Sequence, residues 1–156
     1  LPMNGISIEK ATLSELDELM AWRMEVLHEV FGIPADADTL ALEQANREYY
    51  RYTLSCSEHI ACFARYNGQR VGCGGICLQQ EMPSPDNPTG RCAYLMNIYI
   101  RPPYRRLHIG TALVGWLVEQ AKRQNAGKIY LETSDAGRAM YRRLRFEEMK
   151  DIMKLQ

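Results

Sequence analysis

The chain has 156 residues, with 19 basic and 19 acidic side chains, so its formal charge is zero. That balance argues against nucleic acid and against a polybasic contact with a membrane surface. No apolar run approaches the length of a bilayer span, and the N-terminal residues lack the basic and apolar regions of a secretory signal, so a single cytoplasmic domain over residues 1–156 is expected.

Five cysteines are present and none forms a Cys-x-x-Cys pair. Cys62, Cys73, Cys77 and Cys92 lie among apolar or small residues at strand-like spacing, which reads as buried reduced thiols. His28, His59 and His108 share no ligand spacing with them, so no metal site is expected.

In chain order, Ile6 and Ile8 alternate with Ser7 and Glu9 as a short strand. Thr12-Leu13-Ser14-Glu15 reads as a capping box. Leu16, Leu19, Met20, Met24, Leu27, Val30 and Phe31 then recur at helical spacing until Gly32 and Pro34 end the helix. Arg23 falls on or beside this stripe, either snorkelling past the core edge or aiming a cation into a substrate cleft. Residues Asp36 to Tyr52 form a second helical candidate, with Leu40, Leu42, Ala45, Tyr49 and Tyr52 as a loose stripe. Its tyrosines either pack or line an acceptor pocket.

From His59 the period changes to two. Ile60, Cys62, Ala64 and Tyr66 alternate with Ala61, Phe63 and Arg65, and Asn67-Gly68 marks a two-residue hairpin turn. The return strand carries Val71, Cys73, Gly75 and Cys77. Its Gly72, Gly74 and Gly75 indicate a bulge or a close approach to the backbone. Pro83 to Gly90 is a loop, and Cys92 to Ile100 forms the third strand of the meander.

That strand breaks at Pro102-Pro103, passes Arg101, Arg105 and Arg106, and enters a helix at about Ile109. A strand feeding a helix N-terminus through a basic turn is an anion site, because the first helical amides lack partners and the macrodipole adds positive charge. Alternatively the turn is an ordinary solvated basic loop. Ile109, Ala112, Leu113, Trp116, Leu117 and Ala121 make that helix amphipathic, and Gly127 ends it. Lys128 to Thr133 reads as a strand, Ser134 or Asp135 caps a helix carrying Met140, Tyr141 and Leu144, and Phe146 to Leu155 reads as a last irregular strand. The order implies an α+β fold: a mixed, mostly antiparallel central sheet, helices on both faces, and one parallel β-α-β crossover. Ligands favour the carboxyl ends of such strands, which places the basic turn at a cleft mouth.

With that order, the chain resembles the GNAT superfamily of acyl-CoA-dependent N-acyltransferases. The resemblance spans essentially the whole chain and is most specific from Tyr94 to Phe146. The family signature (Arg or Gln, two residues, Gly, one residue, Gly or Ala) aligns with Arg105-Arg106-Leu107-His108-Ile109-Gly110. Thr111-Ala112-Leu113 follows as the usual small-then-aliphatic run, and Tyr99-Ile100-Arg101-Pro102 looks like the family's lead-in. Tyr141-Arg142-Arg143-Leu144-Arg145-Phe146 matches the tyrosine helix that normally ends in Gly-Phe. Three residues depart from the pattern. His108 replaces the first signature glycine, Ser134 stands where many members carry asparagine, and Arg145 replaces the glycine at the helix end, so that cap is expected to be built differently.

The resemblance implies transfer of an acetyl group from acetyl-CoA to an amine of a small molecule or protein. By that analogy, backbone from Leu107 to Thr111 (Leu107, His108, Ile109, Gly110 and Thr111) with Arg105 and Arg106 would hold the pyrophosphate. The backbone of Ile98, Tyr99 and Ile100 would pair with the pantetheine arm, and an amide near Ile98 would polarise the thioester carbonyl. Tyr141 would contact the cofactor and serve as general acid to the departing thiolate, unless it is only a packed tyrosine. Where many members carry a glutamate on the fourth strand, this chain has Tyr94, placed with Arg23 on the acceptor side. Glu132 is the remaining carboxylate for the base role, unless deprotonation runs through a water chain, and Asn97 could orient the amine or a water. A non-catalytic acyl-CoA-binding sensor on the same fold is the alternative. The phosphate loop of nucleotide-binding proteins is absent, since its lysine-bearing signature is missing. The acceptor pocket is expected between the first two helices and the Pro83–Gly90 loop, and an exposed sheet edge suggests a homodimer.

Overall fold

A computed structural model describes residues 5–156. One five-stranded sheet, in the order β1-β2-β3-β4-β5, forms its centre. The strands are β1 (Ile6–Lys10), β2 (His59–Tyr66), β3 (Gln69–Gln80), β4 (Arg91–Ile100) and β5 (Lys128–Leu131). The first four pair antiparallel, and β4 and β5 pair parallel through the crossover helix α3 (Ile109–Arg123). Helices α1 (Leu16–Glu29), α2 (Leu40–Ser55) and α4 (Asp135–Arg143) complete the fold.

The period-two alternation of β2 divides the core. Ile60 and Cys62 face α3 with Ile76, Leu78, Leu95, Leu113 and Leu117. Ala61 and Phe63 face α1 and α2 with Leu19, Met20, Trp22, Val26 and Tyr50. Helices therefore cover both faces, as the alternation and the βαβ order require. The Asn67-Gly68 turn has φ of 49° and 83°, the left-handed pair that a tight hairpin needs. The glycines of β3 serve close packing. A Cβ on Gly74 would lie 3.1 Å from Leu117 and 3.2 Å from Leu113, so glycine lets α3 settle onto the sheet. Beside Gly72 the β2–β3 register slips, with Ala64 opposite Gly72 and Arg65 opposite Arg70.

A second irregularity shapes the cleft. Cys73 faces Tyr99 while Gly75 faces Met96, so two steps along β3 span three along β4. Asn97 lies in this bulge with φ 57°. A bulge re-aims the strand and increases its local twist. The pairing of β4 with β5 ends at Leu95 opposite Leu131, just before it, so the two strands part and β4 presents an unpaired edge from Met96 onward.

Three expectations from the sequence are corrected. Phe146 to Leu155 is not a strand, because the Glu148 carboxylate is drawn onto Arg138 and Arg142 of α4 at 2.6 and 3.0 Å and the segment lies without a ladder partner. In α2 the buried face is Tyr50 and Thr53, whereas Leu40, Leu42 and Tyr52 are exposed; the helix begins at Leu40, after the chain has turned through Asp36–Asp38. Val30 and Phe31 extend the α1 stripe on paper, but α1 ends at Glu29 and both side chains are exposed. Among the described residues no helix is long and apolar enough to cross a membrane.

Candidate active site

The parting of β4 and β5 opens a cavity of about 770 Å³, walled by Met96–Ile100 on one side and by Glu132–Ser134 with α4 on the other. Its mouth is formed by Tyr104, Arg105, Arg106 and His108 of the turn after β4 and by the start of α3. That turn is tightly shaped. Pro102–Tyr104 makes a single 3-10 turn, and Arg106 and His108 both adopt φ of 65°. His108 is the N-cap of α3, and the first bond of the helix runs from the Ala112 amide to the His108 carbonyl, leaving the amides ahead of it without helical partners. The family's glycine at position 108 thus corresponds to a left-handed backbone, which histidine adopts here with its side chain exposed. Gly110 faces α4, where a Cβ would lie 3.3 Å from the Met140 sulfur.

The residues read from the sequence converge on this cavity. Arg23, Tyr94, Asn97, Ile98, Tyr99, Ile100, Arg105, Arg106, His108, Ile109, Gly110, Thr111, Glu132 and Tyr141 all line it. Leu107 does not. It lies between the two left-handed residues and turns its side chain to solvent. Arg105 is folded back, its Nε donating to the Ile100 carbonyl at 2.8 Å, which caps the free end of β4. Arg106 makes no ion pair among the described residues. Arg101 is committed elsewhere, with its guanidinium bidentate to Glu25 and 4.1 Å from the Trp22 ring.

Ser134 caps α4 by accepting from the Gly137 amide at 3.4 Å, which orients the helix that carries Tyr141. The Tyr141 ring is 9% exposed, and burial raises its phenol pKa, so the group is protonated across the physiological range. At the far end of α4 the left-handed Arg145 places the Phe146 amide on the Tyr141 carbonyl at 3.0 Å and its own amide on the Arg142 carbonyl at 2.9 Å. This is the Schellman arrangement, with the Phe146 ring packed edge-on against Tyr141 at 5.8 Å. The cap expected to differ is therefore the usual one, built on arginine. Opposite, Tyr94 stacks at 5.0 Å on Tyr130. Burial, then the charge of the neighbouring Glu132, pushes the Tyr94 phenol up to about 12. Glu132 itself lies just beyond β5 and is exposed.

The sequence model of the acetyltransferase (GNAT) family matches residues 17–146. The chain belongs to the GNAT acetyltransferase family. Its fold is that of solved GNAT structures. A predicted acetyltransferase from Clostridium acetobutylicum, determined with acetyl-CoA, is 26% identical, with a TM-score of 0.84 over 97% of this chain and 96% of that one. A GCN5-related N-acetyltransferase from Ralstonia eutropha JMP134 is 18% identical, with a TM-score of 0.78 over 97% and 99%. AAC(6')-Iy, determined with the bisubstrate analog CoA-S-monomethyl-acetylneamine, is 14% identical, with a TM-score of 0.73 over 97% of each chain. A search of curated proteins finds no match.

A second recess of about 270 Å³ adjoins the GNAT cleft, sharing Arg23, Met96 and Asn97 with it. Tyr49, Tyr50, His59 and Cys77 also line it. The Tyr49 hydroxyl meets His59 Nδ1 at 2.8 Å and Cys77 Sγ at 2.9 Å. Burial lowers the His59 pKa to about 4, so the ring is neutral. His59 and Cys77 belong to strand faces that the sequence presents as ordinary core, and no local signal marks them. The Pro83–Gly90 loop does not reach this recess. Thr89 bonds the Asn125 carbonyl at 3.2 Å, at the opposite end of β4.

Proposed function

We propose that this GNAT protein transfers the acetyl group of acetyl-CoA to a primary amine by direct attack. The observation that carries this reading is the cleft between the parted β4 and β5, which ends at the unpartnered first amides of α3 and the two exposed arginines. A pyrophosphate fits that end: helix amides and Arg106, with Arg105 beside it, supply donors and positive charge for a polyanion. The unpaired edge of β4 suits an arm that carries amide groups, which would add as a strand does. The thioester supplies an activated acyl carbon.

Around that carbon the chain's own groups divide the proton work. Backbone near Ile98 offers a donor to the carbonyl oxygen. Tyr141, protonated and facing the cleft, serves as acid to the sulfur. Glu132 or a water beside it takes the amine proton, and the raised pKa of Tyr94 keeps that phenol protonated next to the carboxylate. The balance is then complete: an N–C bond forms, the C–S bond breaks, the amine loses a proton and the sulfur gains one. Five unpaired thiols, three of them buried, support a reducing, cytoplasmic setting.

The test is a melting curve with acetyl-CoA. Millimolar acetyl-CoA should raise Tm, and Arg105→Glu with Arg106→Glu should abolish the shift. No shift in the wild-type chain sinks the reading, and a shift without turnover on any amine favours an acyl-CoA sensor instead.

A further inference from the structure

Arg23 is held unlike Arg65, Arg70 and Arg101. Arg65 and Arg70 clasp Glu9, and Arg101 clasps Glu25. Arg23, also half-buried, has no carboxylate within ion-pair distance among the described residues. Two neutral amides fix it instead: Nε donates to Asn46 Oδ1 at 2.9 Å and Nη1 to Asn97 Oδ1 at 3.0 Å. These bonds bring together α1, α2 and the β4 bulge. They use two of the five guanidinium N–H donors and, with the Phe31 ring 5.7 Å away on one face, leave the charge without an anionic partner. The position is the junction of the two cavities, inward of the α3 turn. The rest of the recess holds no carboxylate, and His59 there is neutral. A half-desolvated cation with a fixed orientation, spare donors and no counter-ion is complementary to an anion brought by a ligand. The pyrophosphate end of the cleft lies elsewhere, at the start of α3, so that anion belongs to the acceptor.

We infer that the acceptor is a compact amine bearing a carboxylate, of the free amino-acid class, with its carboxylate seated on Arg23 and its amine at the junction beside Asn97. Size agrees. A recess of about 270 Å³ lies just below the usual range for drug-sized ligands. The inference rests on the acetyl-transfer reading, and the experiment separates the two.

Purified chain with acetyl-CoA is offered each proteinogenic amino acid and, in parallel, its α-carboxamide, with release of free CoA thiol as the readout. At least one amino acid should be acetylated with a kcat/KM roughly ten- to a hundredfold above that of its amide, as expected when a charged hydrogen-bond partner is lost. Arg23→Gln should erase that preference mainly through KM while keeping the acetyl-CoA melting shift. Arg23→Lys, which keeps the charge but not the planar fork, should restore part of it. Saturation-transfer NMR of the same amino acids on the CoA-loaded chain is run alongside. Arg23-dependent binding without turnover upholds the acceptor site and overturns the transfer reading. Equal rates for acids and amides, or an acid preference that survives Arg23→Gln, overturns the inference. So does the absence of both binding and acetylation for every amino acid when acetyl-CoA still shifts Tm.

Discussion

Arg145→Gly should stabilise the protein. Arg145 holds φ 72° at the end of α4, in the Schellman cap that positions Phe146 against Tyr141. A left-handed backbone costs an L-residue with a Cβ about 1–2 kcal/mol, and glycine escapes this cost. Glycine gives back about 0.5–1 kcal/mol through the greater freedom of its unfolded chain. The Arg145 side chain is exposed and makes no hydrogen bond or ion pair among the described residues, so its removal sacrifices no contact. The net gain is about 0.5–1 kcal/mol, a rise in Tm of roughly 1–4 °C for a chain of this length. Urea unfolding followed by far-UV circular dichroism measures it, with Arg145→Ala as the control that keeps a Cβ and should gain nothing. An equal gain for alanine and glycine would refute the conformational argument, because it would place the effect in the side chain. A loss on substitution with glycine would mean that the arginine makes contacts absent from this structure.

His108→Gly relieves the same kind of strain at the α3 N-cap. It should add stability of similar size while changing acetyl-CoA affinity by less than tenfold, or about 1.4 kcal/mol; a larger loss in titration calorimetry would show the imidazole itself acting as a phosphate donor. Tyr141→Phe should lower kcat by at least about a hundredfold with the acetyl-CoA dissociation constant unchanged, and an unaltered rate would remove the phenol from the chemistry. His59 is neutral and buried in the native state, with a pKa depressed to about 4 from 6.5, so the unfolded chain binds the proton first as pH falls. Its contribution is fully present above pH 6.5 and is lost between 6.5 and about 4, to the extent of about 3 kcal/mol. Denaturation of wild type and His59→Asn should give stabilities that diverge by this amount in total between pH 6.5 and about 4, and parallel pH profiles would contradict it.

Local chemistry carries most of this fold, and it was readable. The alternation of Ile60 to Tyr66, the Asn67-Gly68 turn and the amphipathic run from Ile109 each involve neighbours within a few residues, so the sequence pattern already encodes the geometry. The spacing of Arg105, His108 and Gly110 likewise marked the anion-binding turn, because a strand end, a turn and a helix start are consecutive. Where that reading failed, a competing long-range interaction decided the outcome. The apolar side chains of residues 146–155 looked like a strand, but Glu148 found Arg138 and Arg142 on α4. Leu40, Leu42 and Tyr52 of the stripe read on α2 turned outward, because Tyr50 and Thr53 are buried instead.

By itself the sequence determined the order of elements through α4 and the GNAT signature with His108 and Arg145 in place of glycines, while the left-handed backbone at both positions came from the structure. Only the tertiary structure decided where Arg23 points. It lies 23 residues from Asn46 and 74 from Asn97, and no periodicity relates the three. The meeting depends on the β4 bulge, which turns Asn97 toward α1, and on the packing of α1 and α2 over the same sheet face. Charge without a partner is visible only once every neighbour has been placed, so the feature that bears most directly on the acceptor had to come from the fold.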